Sequence, residues 1–453
     1  MKFLWLLTLY AAVSPEQAAL DRISADSMRG NLSFLASDAL EGRTTPSRGL
    51  NIAAEFIASR FRSAGLEPVA GSYFQDAGFV SVTQSLKDFR MKLSTGGDEL
   101  DLGRGETEVH SIKAIDLANA PVVDLPGSAI EGKIVAGDAR TYGTETAMAK
   151  LREAKPALIL LISGQGHGGE LSWQSDEAEV ETPVIRIFNA AAVEALNDKR
   201  PMTFSLHLEA PEVNRTRVEN VLGLLHGSDP ALRDEYVVLS AHYDHLGVIN
   251  GQVYDGANDN GSGVVSVIEM ASALATLDPH PKRSIIFANF FGEEEGLFGS
   301  EYFVHHSPVP LRQIVANINL EQMGRTDEAD GREVGAIAFT GPSFSNLPAL
   351  MTAPARDQDV KIYNKRGANS FFDRSDNYPF AQMGIVAHTV VVAFEYPDYH
   401  APGDKWEKID YANMAKVDRA VAAGILLIAN SIETPKWSDT PQTEAYRKAR
   451  TPP

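Results

Sequence analysis

The chain has 453 residues, of which 44% are hydrophobic and 22% charged, with a net charge of −19 and no cysteine. That length allows two or three domains with a sizeable core, and the acidity argues against a nucleic-acid partner, which would want clustered Lys and Arg. The missing cysteines exclude disulfides, thiolate metal sites and cysteine nucleophiles, so any metal must be held by His, Asp and Glu.

The chain begins MKFLWLLTLYAAVSPEQAAL. One Lys, an apolar run from Phe3 to Val13 and small residues at Ala18 and Ala19 predict a secretory leader over 1–19. The run is too short to cross a bilayer, and no later segment could. The protein is therefore expected outside the cytoplasm, periplasmic or secreted, with no membrane partner. Residues 20–84 read as the N-terminal part of the main domain, and 20–70 read as helical. Ser24 or Asp26 can cap one helix, and the apolar spacing of Ile52, Phe56, Ile57 and Phe61 predicts a second, amphipathic one stopped by Gly65. Between 85 and 210 the pattern changes to short β-like runs such as GKIVAGD, ALILLIS and TPVIRIF, with helices near Glu145–Ala154 and Ala190–Leu196. This is a separate β-rich module without a catalytic constellation. From 211 to 434 strands and helices alternate. YVVLSA, SIIFANFF, IVANINLE and GIVAHTVVVAF read as buried strands of the parallel kind, and Lys416–Ile432 reads as a closing helix. The proline-containing tail, 435–453, is expected to be disordered. The fold class is α/β: a mixed, mostly parallel sheet sandwiched by helices, with an inserted β-rich domain.

Chemistry gathers where those strands end. His242 follows YVVLSA, Asp259 precedes a helix, Glu293 and Glu294 follow SIIFANFF, Glu321 ends IVANINL, and His400 lies in the loop after the last strand. If the strands are parallel neighbours, these positions meet along one sheet edge, where open α/β sheets bind ligands. Two histidines and three acidic ligands without sulfur suit zinc or a similar divalent ion. Two ions could share a carboxylate, for which Asp259 is best placed. The Glu293-Glu294 pair supplies one ligand and one free carboxylate, able to take a proton from a water the ion acidifies. No G-x-S-x-G and no H-E-x-x-H occurs, which counts against a serine hydrolase of the α/β kind and a single-helix zinc protease.

SAHYDHLG, DGANDNGSG, GEEEGLFGS, NLEQMG and YHAPGD, in this order, resemble the di-zinc aminopeptidase and glutamate-carboxypeptidase family of metallopeptidases. LASDALEGR and EFIASRFRSAGLEP near the N-terminus are also typical of it, and the 85–210 module resembles a protease-associated domain. The resemblance implies two zinc ions and a peptide substrate. Asp259 would bridge the ions, Glu294 and His400 would complete one site, and His242 and Glu321 the other. Glu293 would be the general base serving a hydroxide that bridges the ions. Asp244 would orient His242, and Tyr399 would steady the tetrahedral intermediate. Glu321 departs from the family, most of whose members have Asp there; the longer side chain is expected to reach the ion after slight backbone adjustment. The activity implied is removal of N-terminal residues from peptides. The alternatives are a single-zinc glutaminyl cyclase-like acyltransferase, or a non-catalytic binding protein on the same fold. His245 is expected to support the site or the fold rather than bind metal, and His388 to be a core histidine. Asp373-Arg374-Ser375-Asp376 would line the substrate cleft. Oligomeric state is not legible.

Overall fold

The computed structural model describes residues 13–449 apart from 86, 128, 167, 169–171, 177–181 and 330. Contacts divide the chain into two units. One comprises the chain up to Ala77 and from Val218 onward, and the other is Gly78–Arg217, wider at both ends than the 85–210 module expected.

The first unit is built on strands β1 (Glu212–Leu225, through its C-terminal half), β2 (Tyr236–His242), β3 (Ser284–Phe290), β4 (Ile314–Glu321), β5 (Ala336–Phe339), β6 (Lys361–Ile362) and β7 (Ala387–Val391). Their order across the sheet is β6-β5-β7-β4-β2-β3-β1. The centre is parallel, with β2 between β3 and β4, and β4 beside β7. β1 and β5 run antiparallel to their inner neighbours. β3 and β4 are buried at every position and β2 at all but its first, so their continuous apolar runs are covered on both faces.

Helices of this unit include α1 (Pro15–Leu20), α2 (Ala25–Leu35), α3 (Arg48–Ala64), α4 (Gly263–Leu274), α5 (Phe298–His305), α6 (Asn377–Gln382), α7 (Tyr411–Asn430) and α8 (Glu444–Ala449); a further helix, Leu347–Asp357, lies between β5 and β6 in the chain and packs on α7. Ser24 caps α2 and Ser47 caps α3 through their side-chain oxygens, and Gly65 ends α3 in the left-handed conformation. α4 lies on β2, β3 and β4, and α2, α3 and α7 pack around it. Strand alternation then divides the core. Val238, Ile286, Ala288 and Phe290 cluster with Phe303 of α5 and Phe380 of α6, while Phe287 meets Phe61 of α3 at 6.4 Å between ring centroids.

The expected leader, 1–19, ends inside α1, where Ala19 and Leu20 are buried; residues 1–12 lie outside the described residues. One expectation needs correction. The segment 435–449 is folded, not a disordered tail. The Trp437 indole donates to the Gly384 carbonyl at 2.9 Å and its ring packs 5.0 Å from that of Tyr446 on α8. Prolines suggested disorder, but two large aromatics cover the Phe372–Phe380 cluster and give the segment apolar area to bury.

The second unit holds an eight-stranded sheet in the order Glu99–Asp101, Arg90–Ser94, Thr203–Leu208, Ile115–Asp124, Ile134–Asp138, Leu158–Ser163, Val184–Phe188, Thr107–His110. Helices Glu145–Glu153 and Ala190–Asn197 match the two expected. Its core centres on Leu160, Ile162, Ile185 and Phe204. No helix among the described residues is long and apolar enough to cross a membrane.

Candidate metal centre

β2 delivers His242 to the C-terminal edge of the sheet, fully buried. Its Nδ1 faces Asp244, 3.2 Å from the carbonyl oxygen and 3.4 Å from the carboxylate. That arrangement favours a proton on Nδ1 and turns Nε2 outward as the atom left to bind an ion. Nε2 then lies 3.4 Å from Asp259 Oδ1, 3.3 Å from Glu321 Oε1 and 3.8 Å from Glu293 Oε2. The Asp244 carboxylate also accepts the backbone N–H groups of Glu293 (3.2 Å) and Glu294 (3.4 Å), tying the end of β2 to the turn after β3.

Asp259 sits in the tight loop leading into α4. Backbone N–H groups of Asn258 and Asp259 donate to the Asp404 carboxylate at 3.0 Å. Asn258 Oδ1 accepts from Gly324 (2.8 Å) and Arg325 (2.9 Å), and Asn260 reaches the Leu320 carbonyl at 2.8 Å. The loop is thereby fastened to the segment just past β4, and Asp259 points between the two histidines. Its Oδ2 lies 3.1 Å from His400 Nε2, which is itself 3.3 Å from Glu294 Oε2. Tyr399 stacks on His400 with ring centroids 4.1 Å apart. Glu321 ends β4 and accepts from Ser375 Oγ at 2.6 Å, so the longer acid is held in place from its far side.

These separations test whether the residues fit metal ions. With bonds of about 2.0–2.1 Å, corners of a zinc tetrahedron lie about 3.3 Å apart. His242 to Asp259 and Glu321, and His400 to Asp259 and Glu294, fall at 3.1–3.4 Å. Asp259 offers one oxygen to each set. His245, Asp259 and Glu294 also lie close enough together to hold an ion, but His245 Nδ1 is 2.6 Å from Glu294 Oε1, shorter than a tetrahedral edge and in keeping with a charge-assisted hydrogen bond. The donor chemistry fits as well. Burial pushes Glu293 well above the usual carboxylate range, with Glu321, Glu294 and Asp376 adding to it, and burial raises Glu321 too. Burial alone would lower His242, yet Glu321 and Glu293 hold it well above its ordinary value. Hydrogen bonds to Asp259 and Glu294 push His400 up to about 10. The cluster has more buried carboxylate than positive charge to match, a deficit a divalent cation would fill.

The structure thus brings together His242, Asp244, Asp259, Glu293, Glu294, Glu321, Tyr399 and His400. His388 is a core residue between Thr340 and Ser345, lowered to about 4 by burial. Sequence reasoning missed the anchors. Asp404, the last residue of YHAPGD, holds the Asp259 loop. Arg43, the last residue of LEGR, is 1% exposed and donates to the carbonyls of Leu35, Tyr243, Asp255 and Gly256 at 2.5–3.1 Å. Gly42 beside it has φ +70°, and a Cβ there would come 2.3 Å from the Tyr254 carbonyl oxygen. Both anchors lie in motifs that had been noticed, without a role.

A cavity of about 300 Å³ opens over the cluster. His242, Glu293 and Tyr399 line it on one side, and Phe371, Val391 and Phe394 supply an apolar wall. That wall is clamped from behind. Buried Glu328 accepts the N–H groups of Phe394 (2.6 Å) and Glu395 (3.1 Å) and pairs with Lys365 at 2.7 Å. With its amide turned so that the nitrogen rather than the oxygen faces them, Gln322 donates to the carbonyls of Ala393 (2.7 Å) and Phe394 (3.1 Å).

Comparison with known proteins bears on this edge of the sheet. Aminopeptidase YwaD of Bacillus subtilis is 27% identical over 264 residues, covering 57% of this chain and 54% of its own length. Probable leucine aminopeptidase 2 of Aspergillus fumigatus is 24% identical over 320 residues, 65% of this chain and 61% of its own. The chain therefore spans little more than half the length of these relatives. The solved aminopeptidase from Aneurinibacillus sp. strain AM-1 superposes with a TM-score of 0.52 at 18% identity, covering 93% of this chain and 99% of that one, which supports the fold. Residues 220–425, the stretch that carries every candidate ligand, match the sequence model of Peptidase family M28.

Proposed function

We propose that the protein is a zinc-dependent aminopeptidase that holds two ions and removes N-terminal residues from peptides. The observation that carries this reading is the pair of nitrogen and oxygen sets sharing Asp259 at tetrahedral-edge spacing. His242, Asp259 and Glu321 would hold one ion, and Asp259, Glu294 and His400 the other. When bound, the ions would polarise the scissile carbonyl and acidify the attacking water.

The remaining steps belong to side chains. Glu293 Oε2 lies 3.8 Å from His242 Nε2 and completes neither set. It takes a proton from the attacking water and passes it to the leaving amine nitrogen as the C–N bond breaks. Asp244 fixes the His242 tautomer. The Tyr399 hydroxyl donates to the developing oxyanion. His245 holds Glu294 through its hydrogen bond, and the wall of Phe371, Val391 and Phe394 receives an apolar substrate side chain.

An export leader over 1–19 would place the enzyme outside the cytoplasm; the N-terminal sequence of exported protein reads this directly. The 78–217 unit is assigned as a protease-associated-type module.

The test is hydrolysis of aminoacyl-p-nitroanilides by zinc-loaded protein. Glu293→Gln should lower kcat by roughly 10²–10⁴-fold while metal content is unchanged. Cyclisation of glutaminyl peptides without amino-acid release would overturn the aminopeptidase reading.

A further inference from the structure

The cavity over the cluster is rich in carboxylates: Asp259, Glu293, Glu321 and Glu395 all line it. Arg374 is the one Lys or Arg among the described residues lining it. Its guanidinium lies over the Phe371 ring, 5.0 Å from the centroid, and among the described residues it has no ion pair. Stacking occupies the flat face of a guanidinium, whereas its five N–H donors lie in the plane and point outward. Arg374 is therefore oriented by Phe371 with its donor edge free. It also stands close to the chemistry. The next residue, Ser375, hydrogen-bonds Glu321 at 2.6 Å.

An unpaired, pre-oriented arginine among carboxylates matches a ligand that brings its own carboxylate, which the fork binds through two hydrogen bonds. Resting on the aminopeptidase reading above, we propose that Arg374 selects substrates whose leaving residue carries a carboxylate, in the first place the free C-terminus of a dipeptide. In a dipeptide that carboxylate lies about one residue length, roughly 3.5 Å, beyond the scissile bond. A cavity of about 300 Å³ is at the small end for ligand sites, in keeping with a short substrate enclosed at both ends. The N-terminal side chain sits against Phe371 and Phe394, and the carboxylate of the leaving residue meets the outer edge of Arg374.

The experiment compares Leu-Gly, Leu-Gly-amide and Leu-Asp-amide on zinc-loaded wild type, Arg374→Gln and Arg374→Lys. Wild type should favour Leu-Gly over its amide by roughly tenfold to a hundredfold in kcat/KM. Arg374→Gln should abolish that ratio by slowing Leu-Gly alone, and Arg374→Lys should restore part of it. A preference for Leu-Asp-amide over Leu-Gly-amide, lost in Arg374→Gln, with Leu-Gly and its amide equal, keeps the carboxylate recognition but overturns the dipeptide assignment. Equal rates on all three, or an equal loss on all three in Arg374→Gln, overturns the proposal. Calorimetric binding of Leu-Gly and its amide to zinc-loaded Glu293→Gln, with and without Arg374→Gln, reads recognition apart from hydrolysis. If wild type cleaves nothing, the aminopeptidase reading fails, and an Arg374-dependent preference in binding for the free acid still decides whether Arg374 receives a carboxylate.

Discussion

Asp418 gives the sharpest test of how the sheet's helical cover is held. It sits in mid-α7 with no exposure. Burial raises its carboxyl to about 8; Glu269 adds to the shift, and the Ser266 hydroxyl on α4 and Arg419 offset part of it. The folded value thus stands well above the 3.8 of an exposed Asp. A raised carboxyl favours the folded state fully below the unfolded pKa, and that advantage drains away as pH climbs toward 8. A shift of about 4 units corresponds to roughly 5–6 kcal/mol across the whole window, or about 1.4 kcal/mol per pH unit within it. Asp418→Asn keeps the shape and removes the titration. Urea unfolding of both proteins at pH 6, 7 and 8 would measure the difference. The variant should gain on wild type by about 1.3 kcal/mol from pH 6 to 7 and by about 1 kcal/mol from pH 7 to 8, where the group is half-ionised. Parallel pH profiles would refute the claim that Asp418 is buried and neutral.

Other consequences follow from the anchors. Arg43→Met leaves the Leu35, Tyr243, Asp255 and Gly256 carbonyls without their donor, and should cost about 3–5 kcal/mol of stability in urea while lowering zinc affinity. Glu328→Gln loosens the clamp on Phe394; KM for leucyl-p-nitroanilide should rise several-fold with little change in kcat or in zinc content. Trp437→Ala should cost about 3 kcal/mol, because the segment 435–449 is part of the packed core; a change within 0.5 kcal/mol would restore the disordered-tail reading. Chelation should lower the thermal midpoint and added zinc should restore it, since ions that bind only the folded cluster stabilise it by mass action.

The sheet and its ligand-bearing edge were legible because both rest on local pattern. Buried strands of the parallel kind read as unbroken apolar runs, and the residues that end them, His242, Glu293 and Glu321, are chemically conspicuous. What escaped was long-range. Asp404 acts on a loop more than a hundred residues earlier in the chain through backbone N–H groups, and Arg43 on carbonyls two hundred residues later. No periodicity marks such partners. The choice of His400 over His245 for the second set came from the motif resemblance, not from spacing along the chain. The tail was misread because proline content outweighed Trp437 and Tyr446, whose burial depends on the distant Phe372–Phe380 cluster. The departure at Glu321 was expected to need slight backbone adjustment. Ser375 supplies a far-side hydrogen bond, and the carboxylate still comes within 3.3 Å of His242 Nε2.

The central claim is that Asp259 is shared by two ion-binding sets. Counting zinc per chain in purified wild type, Glu294→Ala and Glu321→Ala by elemental analysis tests it most directly. The account predicts two ions in wild type and one in each variant. A single ion in wild type, lost entirely in one variant and untouched in the other, would contradict it.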